Sequence, residues 1–508
     1  MIRSGREASG DLELDADTVI VGTGAGGAVA GAILAEAGER VLLLEEGPNI
    51  PWERYREMRP SEHLRHAWRD GGMTVAVGVG DSPTVNVTMG RCVGGSSMLT
   101  GGVSFRTPES VLESWVHDRG LGGLAPAAMT PYFEAVERAV HVETVPEAMR
   151  SRSTQLFARG AEKRGFRLKP LRRNTKGCRG LSRCNFGCPE GAKMSVDRTY
   201  LPQALAAGAA LWSDCRVDRV LRRGDRVTGV SGVILEPPVT ARPFLRGRPR
   251  RFRVHATRVV VAAGAYHSPL LLARSGLGRR LPALGRHLTL HPAFRMFARF
   301  PEAVRGWEGA LQSAYSDHLE HAGITLVSLF IPPGVLAATM PGFGPHLTER
   351  ARQIPNLAVF GGMIHDEGGG VVRRGPGREP LVTYRMSGRD RAAVPTLLRE
   401  MAETFFAAGA LEVFLPLLGH APFDADAFAR LDLERVPAHR LECSSQHPLG
   451  SCRMGSDPDT SVVGPTGAVW GLKNLFVADG SVVPTSLGVN PQITVMAMAS
   501  RIATMLVP

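Results

Sequence analysis

Cysteine is scarce and long apolar runs are missing. Seven cysteines fall at irregular intervals in 508 residues, an odd number that does not close into a disulfide framework, and a reducing compartment fits such a chain better. No stretch approaches about 18 uninterrupted apolar residues, the length that reads as a membrane-spanning helix. The opening MIRSGREASGDLELDAD mixes acids with arginines and holds no apolar leader segment, so the chain reads as soluble, unexported and cytoplasmic. No internal repeat or low-complexity block is visible. The 59 glycines and 36 prolines are spread along the chain, which excludes a fibrous or disordered reading.

What remains is a globular composition over a length that suggests two or three domains. The net charge of +12 raises a nucleic-acid or anionic-surface partner. The basic residues, however, fall into two local clusters, Arg150 to Arg183 and Arg242 to Arg253, with no nucleic-acid motif beside either. They read as solvated arginines, with a docking patch for an acidic protein or a peripheral membrane contact as the alternative.

The chain opens as a βαβ unit. Thr18 to Val21 is a buried strand, Gly22 to Gly27 a turn, Ala28 to Ala37 an alanine-rich helix stopped by Gly38, and Val41 to Leu44 the next strand. Arg258 to Ala263 is a continuous apolar run suited to a strand buried on both faces. Leu475 to Ala478 as strand and Pro491 to Leu506 as helix close the chain. These pieces predict an α/β fold whose nucleotide-binding domain is discontinuous, built from 15–105, 201–290 and 441–508. Mixed patterns over 106–200 and 291–440 suit a second, substrate-facing domain.

Gly22-Thr-Gly24-Ala25-Gly26-Gly27 follows a strand and opens a helix, the context that gives GxGxxG its meaning. The first glycine permits the tight turn and the second lets backbone approach a pyrophosphate. The third allows close helix–strand packing, and the helix N-terminus supplies N–H groups to the anion. Glu45 ends the second strand about 20 residues on, placed to accept hydrogen bonds from an adenosine ribose. These residues specify a dinucleotide without separating FAD from NAD. A second small-residue loop, Gly90-Arg-Cys-Val-Gly94-Gly95-Ser96-Ser97, lets backbone pass close to a flat ligand.

The tail carries His447-Pro-Leu-Gly450, then Asn474 to Asp479-Gly480-Ser481, then Gly488-Val-Asn490-Pro491. With the fingerprint, the Gly94-Gly95-Ser96-Ser97 loop and Gly264-Ala-Tyr-His-Ser268-Pro269, these motifs resemble the glucose-methanol-choline (GMC) family of flavin oxidoreductases over nearly the whole chain. The resemblance implies a Rossmann-like FAD domain, an α+β substrate domain on a largely antiparallel sheet, and hydride transfer from an alcohol carbon to flavin N5. It also implies that Val217 backbone meets the adenine and that the Asp479-Gly480 segment meets the ribityl-pyrophosphate portion, with Asn490 and Pro491 beside the flavin. Relatives with covalent FAD carry a histidine in the small-residue loop. Met98 and Leu99 stand there instead, which predicts non-covalent FAD, and Thr100 replaces a frequent asparagine.

An alcohol that loses hydride must also lose its hydroxyl proton. His447 is the expected base, a role worth about 10² to 10⁴ in rate, and Asn490 is expected to orient the hydroxyl. His287 and His291 resemble a family segment bordering the flavin and are read as structural. No role is assigned to His267, His365 or Glu442.

Cys178, Cys184 and Cys188 are spaced so that they could hold iron, as in a few bacterial sugar dehydrogenases of the family. The same neighbourhood in long-chain alcohol and sterol oxidases has a similar segment without metal, and free thiols are the favoured reading. The expected activity is therefore FAD-dependent oxidation of an apolar, long-chain or sterol-like alcohol, with oxygen or an external electron acceptor as second partner. The alternatives are a sugar or polyol dehydrogenase with an iron–sulfur cluster, a non-redox FAD lyase, and an NAD-dependent dehydrogenase.

Overall fold

Consecutive β-branched and leucine residues, flanked by glycine, build the first sheet. A computed structural model, which describes residues 1–236, 249–340 and 344–507, places Leu12–Val21 beside Val41–Leu44 in parallel register, with Val19 opposite Leu42. The helix Ala25–Glu36 joins them, and Gly38 ends the connection at φ 87°. Across Leu12–Val21 lies Arg251–Val261, parallel to it over its whole length. The far side of that long strand is shared. Its first half pairs antiparallel with Arg226–Ile234, and its last three residues pair parallel with Leu475–Val477. Ala210–Ser213 and Ile2–Ser4 extend the other edge.

The sheet is thus assembled from distant parts of the sequence, and its core is one apolar cluster in which Val19, Ile20, Leu43, Val259 and Val260 are solvent-inaccessible. The tail helix Gln492–Thr504 packs on Ala25–Glu36. Alanines and glycines on the earlier helix allow the close approach.

A second sheet is largely antiparallel. Cys443–Ser445, Ala293–Arg299, Leu357–Ile364, Ile324–Ser328 and Ala314–Ser316 run antiparallel in that order. Val85–Val87 joins Cys443–Ser445 in parallel, and Val75–Gly78 follows. These three strands come from 15–105 and 441–508, so the two sheets interleave along the chain. Two helices, Arg152–Lys163 and Gly388–Ala407, cover one face of the sheet. Phe157 and Phe360 stack there with ring centroids 3.7 Å apart, and Ser387 caps the longer helix by accepting from the Asp390 N–H.

Most of the second basic cluster, 242–248, lies outside the described residues. In the first, Arg150, Arg152, Arg164 and Arg172 are paired with Glu147, Glu302, Glu400 and Glu137. Among the described residues no helix is long and apolar enough to cross a membrane.

Candidate active site

A cavity of about 410 Å³ runs between the two sheets. Gly22, Gly24, Glu45 and Val217 line one end, and His447, Asn490 and strand residues of the second sheet line the other. Gly22 turns at φ 102°, and a Cβ there would lie 2.4 Å from the Ala262 carbonyl oxygen, so any side chain would push the turn off the neighbouring strand end. Gly95, at φ 54°, brings the second small-residue loop against the first: its Cβ would lie 2.8 Å from the Gly24 Cα.

Thr23 ties these pieces together. Its hydroxyl donates to Glu45 Oε2 at 2.6 Å and accepts from the Gly94 N–H at 3.1 Å. Glu45 Oε1 accepts from the Gly47 N–H at 2.9 Å. Burial raises the Glu45 carboxyl even against these bonds. Beside it, burial would also raise Glu46, but Arg69 at 2.6 Å overrides it and holds that carboxyl at about 2.

At Val217 the pairing with Arg226–Ile234 shifts register, leaving Asp218 as a bulge on the cavity edge. The bulge releases backbone from the ladder where the adenine is expected. Asp479 is turned inward. Its carboxylate accepts from the Gly264 N–H at 2.8 Å, the Ser481 N–H at 2.7 Å and the Ser268 hydroxyl, fixing the helix Gly264–Arg274 while Gly480 borders the cavity. Ala25, Gly26, Ser96, Ser97 and Pro491 also border it, whereas Gly27 packs against Gly22 and Gly94 holds the loop through Thr23. Pro491 leads into the Gln492–Thr504 helix, and Gln492 and Val495 of its first turn line the same space, so the positive end of the helix lies at this wall. The arm of the Asn490 amide that faces away from His447, and Gln492 Nε2, are buried there without a partner. A cleft with a glycine floor, a buried acid at one end and unmatched polar atoms at the other fits a dinucleotide with a flat, hydrogen-bonding ring.

His447 stands at the end of a directed chain of hydrogen bonds. The N–H groups of Leu487 and Gly488 both point at His291 Nε2, at 2.9 and 3.2 Å. That nitrogen is therefore an acceptor, and the proton of neutral His291 sits on Nδ1. His291 Nδ1 lies 3.3 Å from His447 Nδ1, so His447 Nδ1 accepts and the His447 proton sits on Nε2. His447 Nε2 is 3.1 Å from the Asn490 amide. The atom placed there is Nδ2; turning the amide over so that Oδ1 accepts from Nε2–H suits both partners and leaves the Nδ2–H groups toward the cavity. Burial pushes His447 down to about 4, and it holds His291 well below the ordinary histidine value. Both rings are neutral at physiological pH.

Sequence reasoning treated His287 and His291 alike, but only His291 reaches this chain. His287 lies elsewhere, held at about 4 by burial and then by Arg453. Asp366, which carried no motif, fixes His291. Its buried carboxylate accepts from the N–H groups of Leu290 and His291, from Tyr384 and from Ser486. The cysteines lie beside the cavity, behind the small-residue loop. Arg173, buried with no carboxylate partner, donates to Cys184 Sγ at 2.8 Å and to the Gly101 carbonyl at 2.8 Å. Lys193, also buried, donates to the carbonyls of Met98, Thr100 and Cys184, and burial lowers its ammonium to about 8. Among the described residues no group of three or more His, Cys, Asp or Glu is arranged to hold a metal.

Comparison with known proteins gives a consistent picture. The two GMC oxidoreductase family models, for the N- and C-terminal parts, match residues 16–293 and 374–499. An uncharacterized GMC-type oxidoreductase of Mycobacterium tuberculosis is 37% identical over 489 residues, which span 96% of this chain and 75% of that protein. A long-chain-alcohol oxidase of Arabidopsis thaliana, FAO1, is 28% identical over 98% of this chain and 68% of its own. Among solved structures, pyridoxine 4-oxidase from Mesorbium loti superposes with a TM-score of 0.72 at 20% identity, covering 96% of this chain and 98% of that one.

Proposed function

We propose a function from one premise: the chain belongs to the GMC oxidoreductase family and is an FAD-dependent oxidoreductase acting on CH–OH donors. Its substrate is a largely apolar alcohol, and dioxygen takes the electrons afterwards. Leu311, Val327, Leu329, Phe330 and Met363 give the substrate end of the cavity an apolar wall, and the similarity to proteins named long-chain-alcohol oxidases agrees with it. Glu45, the Gly22–Gly27 turn, the Gly94–Ser97 loop, Val217 and Gly480 hold the FAD. It is held without a covalent bond, because buried Met98 and Leu99 offer no nucleophile.

FAD, when bound, supplies the two-electron acceptor for the carbinol hydrogen. The observation that carries the reading is the directed chain ending at Asn490. It leaves the Asn490 Nδ2–H groups, with the His447 Nε2–H shared between Asn490 Oδ1 and the substrate, facing the alcohol oxygen, which gains negative charge as its hydroxyl proton passes to solvent water and its carbinol hydrogen leaves as hydride. A fixed donor at such an oxygen is typically worth about 10² to 10³ in rate. The motif supports a second role, in which His447 Nε2 takes the hydroxyl proton. That role needs a lone pair on Nε2, hence a proton on His447 Nδ1 facing the His291 N–H, and a pKa near 4 makes a weak base.

His447→Ala and His447→Gln separate the two roles, with anaerobic flavin reduction by alcohol as the readout. Both variants should bind FAD and appear yellow. His447→Ala should slow reduction by about 10² or more. A glutamine can donate but cannot take a proton, so the donor role predicts a His447→Gln rate well above that of His447→Ala. Equal losses in both would favour proton abstraction, and full-rate reduction in His447→Ala would remove His447 from the chemistry.

A further inference from the structure

One charged side chain at the substrate end of the cavity has, among the described residues, no ion pair or hydrogen bond. Arg295 lies on the strand Ala293–Arg299, half-buried in the cavity wall among Leu329, Phe330 and Met363. Its partner across the next strand is Gly361, which has no side chain to offer. On the other side Ala293 pairs with Ser444, and two residues further along each chain brings Arg295 level with Glu442. Glu442 is the one charged group that couples to Arg295, yet among the described residues no carboxylate comes within 4 Å of the guanidinium and no hydrogen bond meets it. By contrast Arg299, on the same strand, holds Glu412 at 2.7 Å.

An arginine left among apolar side chains without a partner is costly, because the charge gives up water and gains nothing in exchange. A ligand anion would supply the missing partner. We propose that Arg295 binds a carboxylate at the far end of the substrate, so that the enzyme's alcohol is a hydroxy acid with an apolar body. This rests on the alcohol-oxidising reading above and names the substrate class for the same cavity.

A carboxylate suits the site better than a phosphate. It matches the guanidinium fork in two parallel hydrogen bonds, and a single negative charge is repelled less by the nearby Glu442 than a phosphate dianion would be. The spacing sets the length. Arg295 lies four residues beyond His291, so its Cα is at most about 13 Å from that of the residue touching His447. The apolar residues between the two ends would hold the intervening carbons.

The test compares ω-hydroxy fatty acids of increasing length with their methyl esters and with 1-alkanols. It uses the FAD-loaded wild type, Arg295→Gln and Arg295→Lys. The wild type should prefer one length of acid over its own ester in kcat/KM. Arg295→Gln should lower the acid-to-ester ratio by roughly 10- to 100-fold, the worth of a charge-assisted hydrogen-bond pair, mainly through KM. Arg295→Lys should retain part of the preference.

A wild type that favours the ester at every length overturns the proposal without needing any variant. So does an unchanged ratio in Arg295→Gln. A phosphate monoester that outperforms the acid overturns the choice of carboxylate. If Arg295→Gln instead changes the flavin spectrum or FAD affinity with the ratio intact, Arg295 serves the cofactor. Failure of every alcohol to reduce the flavin would strike the underlying activity, a distinct result from an alcohol oxidase indifferent to the carboxylate.

Discussion

Lowering the pH probes the site without altering a residue. Free imidazole has a pKa of about 6.5, and burial pushes His447 to about 4. That displacement corresponds to about 3 kcal/mol in favour of the neutral ring. Protonation at Nδ1 would also set two N–H groups face to face across the 3.3 Å gap to His291. At pH 6 an ordinary histidine would be about three-quarters protonated, whereas one with a pKa near 4 would be about 1% protonated. The depressed value means that the active, neutral form persists as pH falls and is lost only on approaching the folded-state pKa.

The rate of anaerobic flavin reduction at saturating alcohol should therefore stay level from pH 8 down to about 5. An ordinary histidine would have lost about 97% of its neutral form by pH 5. The assay is stopped-flow bleaching of the flavin across this range, in wild type and His447→Gln. An acidic limb with a midpoint between 6 and 7 in the wild type that disappears in His447→Gln would refute the claim that the fold keeps this ring neutral.

Two further outcomes follow from the same geometry. His291→Phe removes the acceptor of two buried N–H groups, those of Leu487 and Gly488. It should cost about 2–6 kcal/mol in chemical denaturation and slow flavin reduction roughly 10- to 100-fold; a variant of wild-type rate would make His291 mere packing. Glu45→Ala should raise the FAD dissociation constant by about 10-fold or more, read by flavin fluorescence, because a buried acceptor of charge-assisted hydrogen bonds is lost. Unchanged affinity would show that Glu45 serves only Thr23 and Gly47.

The parts of the fold carried by local pattern were legible before any coordinates. Val41 to Leu44 matches its strand end to end, and Leu475 and Gln492 begin their elements within a residue of expectation. The long strand Arg251–Val261 extends seven residues before the apolar run that announced it, because its first half alternates charged and apolar side chains as one face turns to solvent. Within the site, Gly22, Glu45, His447 and Asn490 were readable from motifs. His291 was legible only as part of a segment bordering the flavin and was read as structural, and Asp366 and Arg295 were not legible at all. Their chemistry arises from partners about 75 to 200 residues away in sequence, or in the case of Arg295 from the lack of one. The three cysteines show the converse: spacing left iron open beside the favoured free thiols, and only the fold reveals the Arg173 guanidinium that donates to Cys184.

The interleaving of the two sheets has a consequence for how the enzyme comes into being. The fingerprint turn at Gly22 is made well before the strand Arg251–Val261 that pairs with its own strand, before Leu475–Val477 that pairs with Arg251–Val261 in turn, and before the helix that packs on its own helix. A nascent chain that has reached residue 450 would hold the glycine turn and His447 but lack Asn490 and the last parallel strand. The cleft is therefore closed only when the last parallel strand and the tail helix have joined the first sheet.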